Sequence, residues 1–229
     1  VIPSLIHFVW IGPPRPAWVQ ENIGGFQRLN PDYRVIVHNE SELVEPFRRR
    51  YVETDDLCTK ADLVALSVMR TQGGFYFDTD FVPLRSLSDL RYAWMLDGQT
   101  MFVARQHGQR DKSLKIACGV MAASTEWRGW PLFEEHVAAA RPPHSRTRFG
   151  PEMFTHFEAM HPELFTVGAW PWFFPLPIAT AAVMHRYAAQ HGLTSLRLVA
   201  PTGGQLPYML HLWAHGKPDL LVPGKENKA

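Results

Sequence analysis

The stretch from Thr59 to Pro83 constrains the fold of this chain more than any other. Ala61, Val64, Ala65, Val68 and Met69 recur at i, i+3, i+4, i+7 and i+8, the spacing of one helical face. Thr59-Lys60-Ala61-Asp62 fits a capping box, with Asp in place of the commoner Glu, and would start that helix. Gly73-Gly74 stops it and permits a tight turn. Phe75-Tyr76-Phe77 reads as a short buried strand, with Asp78-Thr79-Asp80 at its end and Pro83 closing it. A helix handed to an apolar strand by two glycines is a building unit of an α/β layer structure.

The flanking segments agree. Leu5 to Ile11 is short, β-branched and aromatic, and stops at Gly12-Pro13-Pro14, so it predicts a buried strand. Residues 17–29 predict a helix ended by Asn30-Pro31-Asp32, and Tyr33 to Val37 a second strand. Residues 41–50 predict a helix capped by Ser41. Strands are expected at 102–104 and 115–122, and helices at 131–140 and 179–191. Residues 141–180 are rich in Pro and Trp and read as irregular packed loops; Lys225 to Ala229 reads as a loose tail. Alternating strands and helices imply one α/β domain with a mixed, mostly parallel central sheet.

Composition narrows the function classes. Hydrophobic residues make up 46% of the 229 and charged residues 20%, the balance of a packed core. Lys and Arg total 23 against 22 acidic residues, which argues against a nucleic-acid or membrane-surface binder. The basic run Arg48-Arg49-Arg50 reads as a solvated helix end. The two cysteines, Cys58 and Cys118, form no Cys-x-x-Cys, so neither a thiolate zinc site nor a disulfide framework is implied, and a reducing compartment suits them. No apolar run approaches the ~20 residues of a membrane span, and no secretory signal is visible.

The chemistry concentrates at Asp78-Thr79-Asp80. Carboxylates at i and i+2 share a face on an ideal strand. Where the chain bends at a strand end, one can reach a cation while the other reaches a hydroxyl. Hard oxygen ligands suit Mg or Mn, and strand ends of α/β sheets are where ligands sit. A divalent cation there could stabilise a diphosphate leaving group. Two other readings fit the bare motif. One is a turn whose carboxylates cap backbone amides. The other is a haloacid-dehalogenase-like phosphatase loop, with Asp78 as nucleophile and Asp80 as acid/base; the acidic residues after Asp111 supply no strand-end pair for its Mg.

Lys60-Ala61-Asp62 together with Gly73-Gly74-Phe75-Tyr76-Phe77-Asp78-Thr79-Asp80 resembles the sugar-binding Asp-x-Asp region of family 32 glycosyltransferases. Those include the fungal initiating α-mannosyltransferase and bacterial polysaccharide enzymes, and large clostridial glucosylating toxins are related. Ile6-His7-Phe8-Val9-Trp10-Ile11-Gly12 is similar to the toxin opening. Gly150-Pro151-Glu152, Phe174-Pro175 and His211 to Pro218 resemble landmarks of the family's second half.

The resemblance implies a GT-A-type fold, a Mn- or Mg-bound nucleotide-sugar donor and retention of anomeric configuration. Residues 1–100 would bind the donor, and 101–224 would supply the acceptor side and the C-terminal metal and diphosphate segment. Trp10, flanked by Val9 and Ile11, would stack on the nucleobase. Asp62 would hold donor-sugar hydroxyls, with Gly73, Gly74 and Tyr76 lining the substrate. Asp78 would reach sugar, ribose or metal; Asp80 and His211 would bind the metal, and Lys217 the diphosphate. Asp62, Asp78 and Asp80 are thus the expected catalytic set. The donor would be a UDP-sugar in preference to a GDP-sugar, and the acceptor a glycan, lipid-linked glycan or protein. A cytoplasmic, bacterial-type location is expected, or a trimmed Golgi-type luminal domain, since the chain opens at Val1 with no Met. In one position the pattern is broken. Ala65 stands where the family usually has an Arg, and Arg70 is not on the same helical face. That departure motivates a non-catalytic sugar- or nucleotide-binding alternative.

Overall fold

The computed structural model describes residues 1–88, 100–107, 114–140, 149–168, 173 and 209–211. The elements in chain order begin with β1 (Leu5–Val9), α1 (Ala17–Leu29), β2 (Arg34–His38), α2 (Phe47–Val52) and α3 (Leu57–Gln72). They continue with β3 (Gly74–Phe77), β4 (Phe81–Pro83), β5 (Met101–His107) and β6 (Leu114–Ala123). Next come α4 (Trp130–Ala139), α5 (Pro151–Met160), β7 (Phe165–Gly168) and β8 (Met209–His211).

Six strands form one sheet in the order β2-β1-β3-β6-β5-β7. The β2–β1, β1–β3 and β5–β7 pairs are parallel, and β6 runs antiparallel to both β3 and β5. The expected mixed, mostly parallel sheet is therefore present. Its two faces carry two cores. One, with α3, α4 and α5, holds Val64, Met69, Tyr76, Phe133 and Phe154; the other holds Phe26 of α1 with Phe8, Phe75, Phe77 and Phe102. Burial on both faces explains why β3 is apolar throughout instead of alternating.

Helix α3 departs from its predicted start. Asp56 is its N-cap, accepting from the Thr59 backbone N–H and hydroxyl, each at 2.8 Å. A cap of this kind stabilises a helix by about 1 kcal/mol. Asp62 therefore lies in the second turn and is not the capping partner of Thr59. The helix is also more deeply packed than one apolar face requires: Leu63 to Met69 are all buried, while Ala61 is half-buried. At the C-terminus Gly73 takes φ +64° and donates to Met69 O, and Gly74 follows at φ +101°. A Cβ on Gly74 would stand 2.8 Å from Leu5 O, so the strand can join the sheet here only as glycine.

Three other expectations are corrected. The helix expected at 41–50 is a short 3₁₀ turn at Glu40–Glu42, capped by Asn39, followed by α2; Ser41 donates its N–H to Asn39 and caps nothing. Arg50 is buried, donating to the carbonyls of Val137 and Ala138 and to Glu53, so the basic run is not wholly solvated. Residues 151–168 contain α5 and β7 where loops were expected. Pro151 misled that reading, although proline at the first helical position is favourable. The helix expected at 179–191 and the tail lie outside the described residues.

Candidate active site

Parallel β1 and β3 share the register Ile6↔Phe75 and His7↔Tyr76, so both run out at one edge of the sheet. Trp10 and Ile11 follow one strand, and Asp78-Thr79-Asp80 the other. This is the carboxyl edge at which α/β sheets receive ligands. The Asp78 N–H donates to Gly119 O at 3.0 Å, and the Phe81 N–H donates back to Asp78 O at 3.2 Å, closing the turn. Asn22 of α1 donates to Thr79 O at 3.1 Å and pins the turn to the helix. Asp80 is 5% exposed, a buried carboxylate at the head of β4.

Residues 118–120 of β6 form the facing wall. On β5 the register jumps between Val103↔Met121 and Ala104↔Ala117, so Cys118, Gly119 and Val120 bulge out of that pairing. The bulge inverts the alternation. Ile116 and Cys118 face the α3 side, but so do Met121 and Ala123. Cys118 thereby reaches Asp62: its thiol donates to Oδ1 at 3.5 Å. The Tyr76 hydroxyl donates to Asp78 Oδ1 at 2.8 Å. Burial, then the charges of Asp78 and Asp62, holds the Tyr76 phenol well above its usual range. Burial and the same two carboxylates do so for the Cys118 thiol. Asp62 and Asp78 thus converge on one buried patch, and the two donors facing them stay protonated.

Glycines make this convergence possible. A Cβ on Gly119 would lie 2.5 Å from Asp78 Oδ2, and one on Gly150 would lie 2.6 Å from Asp62 Oδ2. Gly150 is also the N-cap of α5, so the Asp62 carboxylate sits at the positive end of a helix dipole. Cys118 and Gly119 were not singled out as site residues from sequence. The available signal was a glycine inside an apolar strand, which marks a bulge or a close approach. Gly150 was visible only as a family landmark.

The other expected site residues divide into groups. Trp10 is half-buried at the same edge, its indole N–H donating to Pro13 O at 2.6 Å. Val9 is buried in the core and Ile11 packs against it, so these two support Trp10 from below. Gly73 and Gly74 lie at the opposite end of β3, about 13 Å of strand from Asp78. There they serve the backbone, and the structure does not bring them to the carboxylates. His211 is brought in: β8 pairs antiparallel with β4 in the register Phe81↔His211, so its backbone lies one residue along from Asp80. Lys217 lies outside the described residues. Ala65 is wholly buried, Arg70 bonds Glu134 at 2.7 Å, and the Lys60 ammonium stands 4.9 Å from the Tyr51 ring centroid.

The donor set fits a hard divalent cation. Asp78 and Asp80 would supply carboxylate oxygens from a fixed turn, and the β4–β8 register brings the backbone of His211 alongside. Among the described side chains no group of three metal-ligating residues is assembled.

Residues 16–96 match the model for the glycosyltransferase sugar-binding region containing the DXD motif. Over that stretch the chain is similar to the sugar-binding region of the DXD glycosyltransferases. Mouse xyloside xylosyltransferase 1 in its apo form superimposes over 97% of this chain and all of its own, with TM-score 0.56 and 15% identity. The PaToxG glycosyltransferase covers 84% of this chain and 76% of its own, with TM-score 0.54 and 15% identity. At such identities the likeness is one of fold, and that fold is GT-A-type. A comparison with curated proteins finds no match. The family region and the fold make the enzyme a glycosyltransferase and displace the phosphatase reading. No helix among the described residues is long and apolar enough to cross a membrane.

Proposed function

We propose that this glycosyltransferase moves a hexose from a nucleoside-diphosphate sugar, a UDP-sugar in preference to GDP-mannose, to an acceptor hydroxyl with retention of configuration. The observation that carries the proposal is the convergence of Asp62 and Asp78 on the Cys118–Gly119 wall, with buried Asp80 in the adjoining turn. Asp62 holds hydroxyls of the donor sugar. Asp78 binds sugar or ribose, and Trp10 stacks on the base, a contact worth about 1–3 kcal/mol. Asp78, Asp80 and His211 hold Mn²⁺ or Mg²⁺, and Lys217 meets the diphosphate. The cation, when bound, neutralises the departing diphosphate as a Lewis acid. No carboxylate is assigned as a covalent nucleophile. A front-face path, in which the leaving phosphate takes the acceptor proton, needs none. The acceptor is a glycan, lipid-linked glycan or protein hydroxyl, as in polysaccharide biosynthesis.

The test is nucleotide release from a panel of UDP- and GDP-sugars with Mn²⁺. Turnover of one or a few donors is expected. Binding of nucleotide without turnover of any donor would replace the proposal with a sugar-binding module, the reading that Ala65 motivates.

A further inference from the structure

Each of the two converging carboxylates is held in the same way. One oxygen accepts from a buried, uncharged donor: Asp78 Oδ1 from the Tyr76 hydroxyl at 2.8 Å, and Asp62 Oδ1 from the Cys118 thiol at 3.5 Å. The other oxygen faces a glycine, Gly119 for Asp78 and Gly150 for Asp62, at a distance no side chain would allow. Tyr76 and Cys118 come from neighbouring strands and face the same core, so the two donors reach the two acids from one side of the sheet.

We propose that Tyr76 and Cys118 are positioning residues, which fix the rotamers of Asp78 and Asp62 so that both meet the donor sugar. This rests on the donor-site reading above. It gives Tyr76 a different task from direct substrate contact: its hydroxyl already points at Asp78. A neutral donor suits the task because it orients a carboxylate without cancelling its charge, which must remain to bind a hydroxyl or a cation. A lysine or arginine in either place would neutralise the acid and compete with the metal.

The residues act through Asp62 and Asp78, so their loss reads out in sugar handling. Cys118→Ala, Cys118→Ser and Tyr76→Phe are compared with the parent for UDP-glucose hydrolysis, for UDP binding with Mn²⁺ and for Tm. For Cys118→Ala, kcat/KM is expected to fall about tenfold, the loss of one hydrogen bond to a charged group. UDP affinity should stay within about twofold, because UDP lacks the sugar that Asp62 holds, and Cys118→Ser, which restores a donor, should recover most of the rate. Tyr76→Phe should lower kcat/KM by at least as much, its bond being the shorter. Wild-type rates in Cys118→Ala, a serine variant no better than alanine, or UDP binding lost in step with turnover in Cys118→Ala would each overturn the proposal. If the parent hydrolyses no sugar nucleotide, the functional reading fails by itself. Crystal structures of the parent and Cys118→Ala then decide the positioning claim: an unchanged Asp62 rotamer overturns it, and a rotated carboxylate supports it.

Discussion

The two ends of β3 lie four residues apart and are built on opposite terms. At its start, Gly73 and Gly74 bring backbone against backbone. His7 spans the gap, donating from Nε2 to Gly73 O at 2.7 Å and accepting at Nδ1 from His38 Nε2 at 2.8 Å. At its end stand two carboxylates, Asp78 and buried Asp80, in a turn held by Asn22 and Gly119, with Asp62 of α3 facing the same wall. The first end is neutral and closed, and it stabilises the join between helix and sheet. The second gathers negative charge beside neutral donors, an arrangement that costs stability and makes sense where a cation or sugar arrives. A strand flanked by polar residues at both ends therefore has one structural end and one end that the proposed donor site uses. Partner geometry, more than residue type, separates them.

The largest expected effect that tests this division is at His7. Burial, then His38, lowers its pKa to about 4, against the opposing bond to Gly73. A base depressed in the folded state contributes stability above its unfolded pKa of 6.5, and loses it as pH falls from there towards 4. The contribution is about 3 kcal/mol at neutral pH. In urea titrations from pH 7 to pH 4, the parent should lose that much more stability than His7→Gln. Parallel curves would mean that His7 is not buried in its neutral form.

A smaller effect is expected at Gly74→Ala, where positive φ and contact with Leu5 O combine. Unfolding free energy should drop by about 1–3 kcal/mol. Nucleotide affinity per folded molecule should remain that of the parent. A selective loss of affinity with unchanged stability would move Gly74 to the functional end and break the comparison.

Much of this was legible in the sequence, for identifiable reasons. The helix–Gly-Gly–strand unit shows because glycine punctuation and 3.6-residue spacing are local signals, and β1, α1 and α3 follow from them. The turn at Asp78 was also local. What stayed hidden was tertiary. The capping-box pattern points to Thr59 as the start of α3, whereas in the structure the oxygen that meets the Thr59 amide belongs to Asp56. The bulge at Cys118–Val120 leaves no trace in an apolar strand except Gly119. Helix α5 was masked because proline reads as a breaker, although at a first helical position it is not one. His211 could be matched to a family segment, but its nearness to Asp80 depends on the β4–β8 register, which no local pattern encodes.

If the Asp78–Asp80 turn is a cation and diphosphate site for a nucleotide-sugar donor, calorimetric titration of UDP into the parent protein and Asp80→Ala, each with and without Mn²⁺, will show it. Mn²⁺ should tighten UDP binding to the parent by about tenfold or more, a charge contact of roughly 1.4 kcal/mol or above. In Asp80→Ala that metal dependence should vanish while the fold, read by Tm, is kept. UDP binding that ignores Mn²⁺ in the parent, or a metal dependence that survives in Asp80→Ala, would mean that Asp80 holds no cation for the diphosphate.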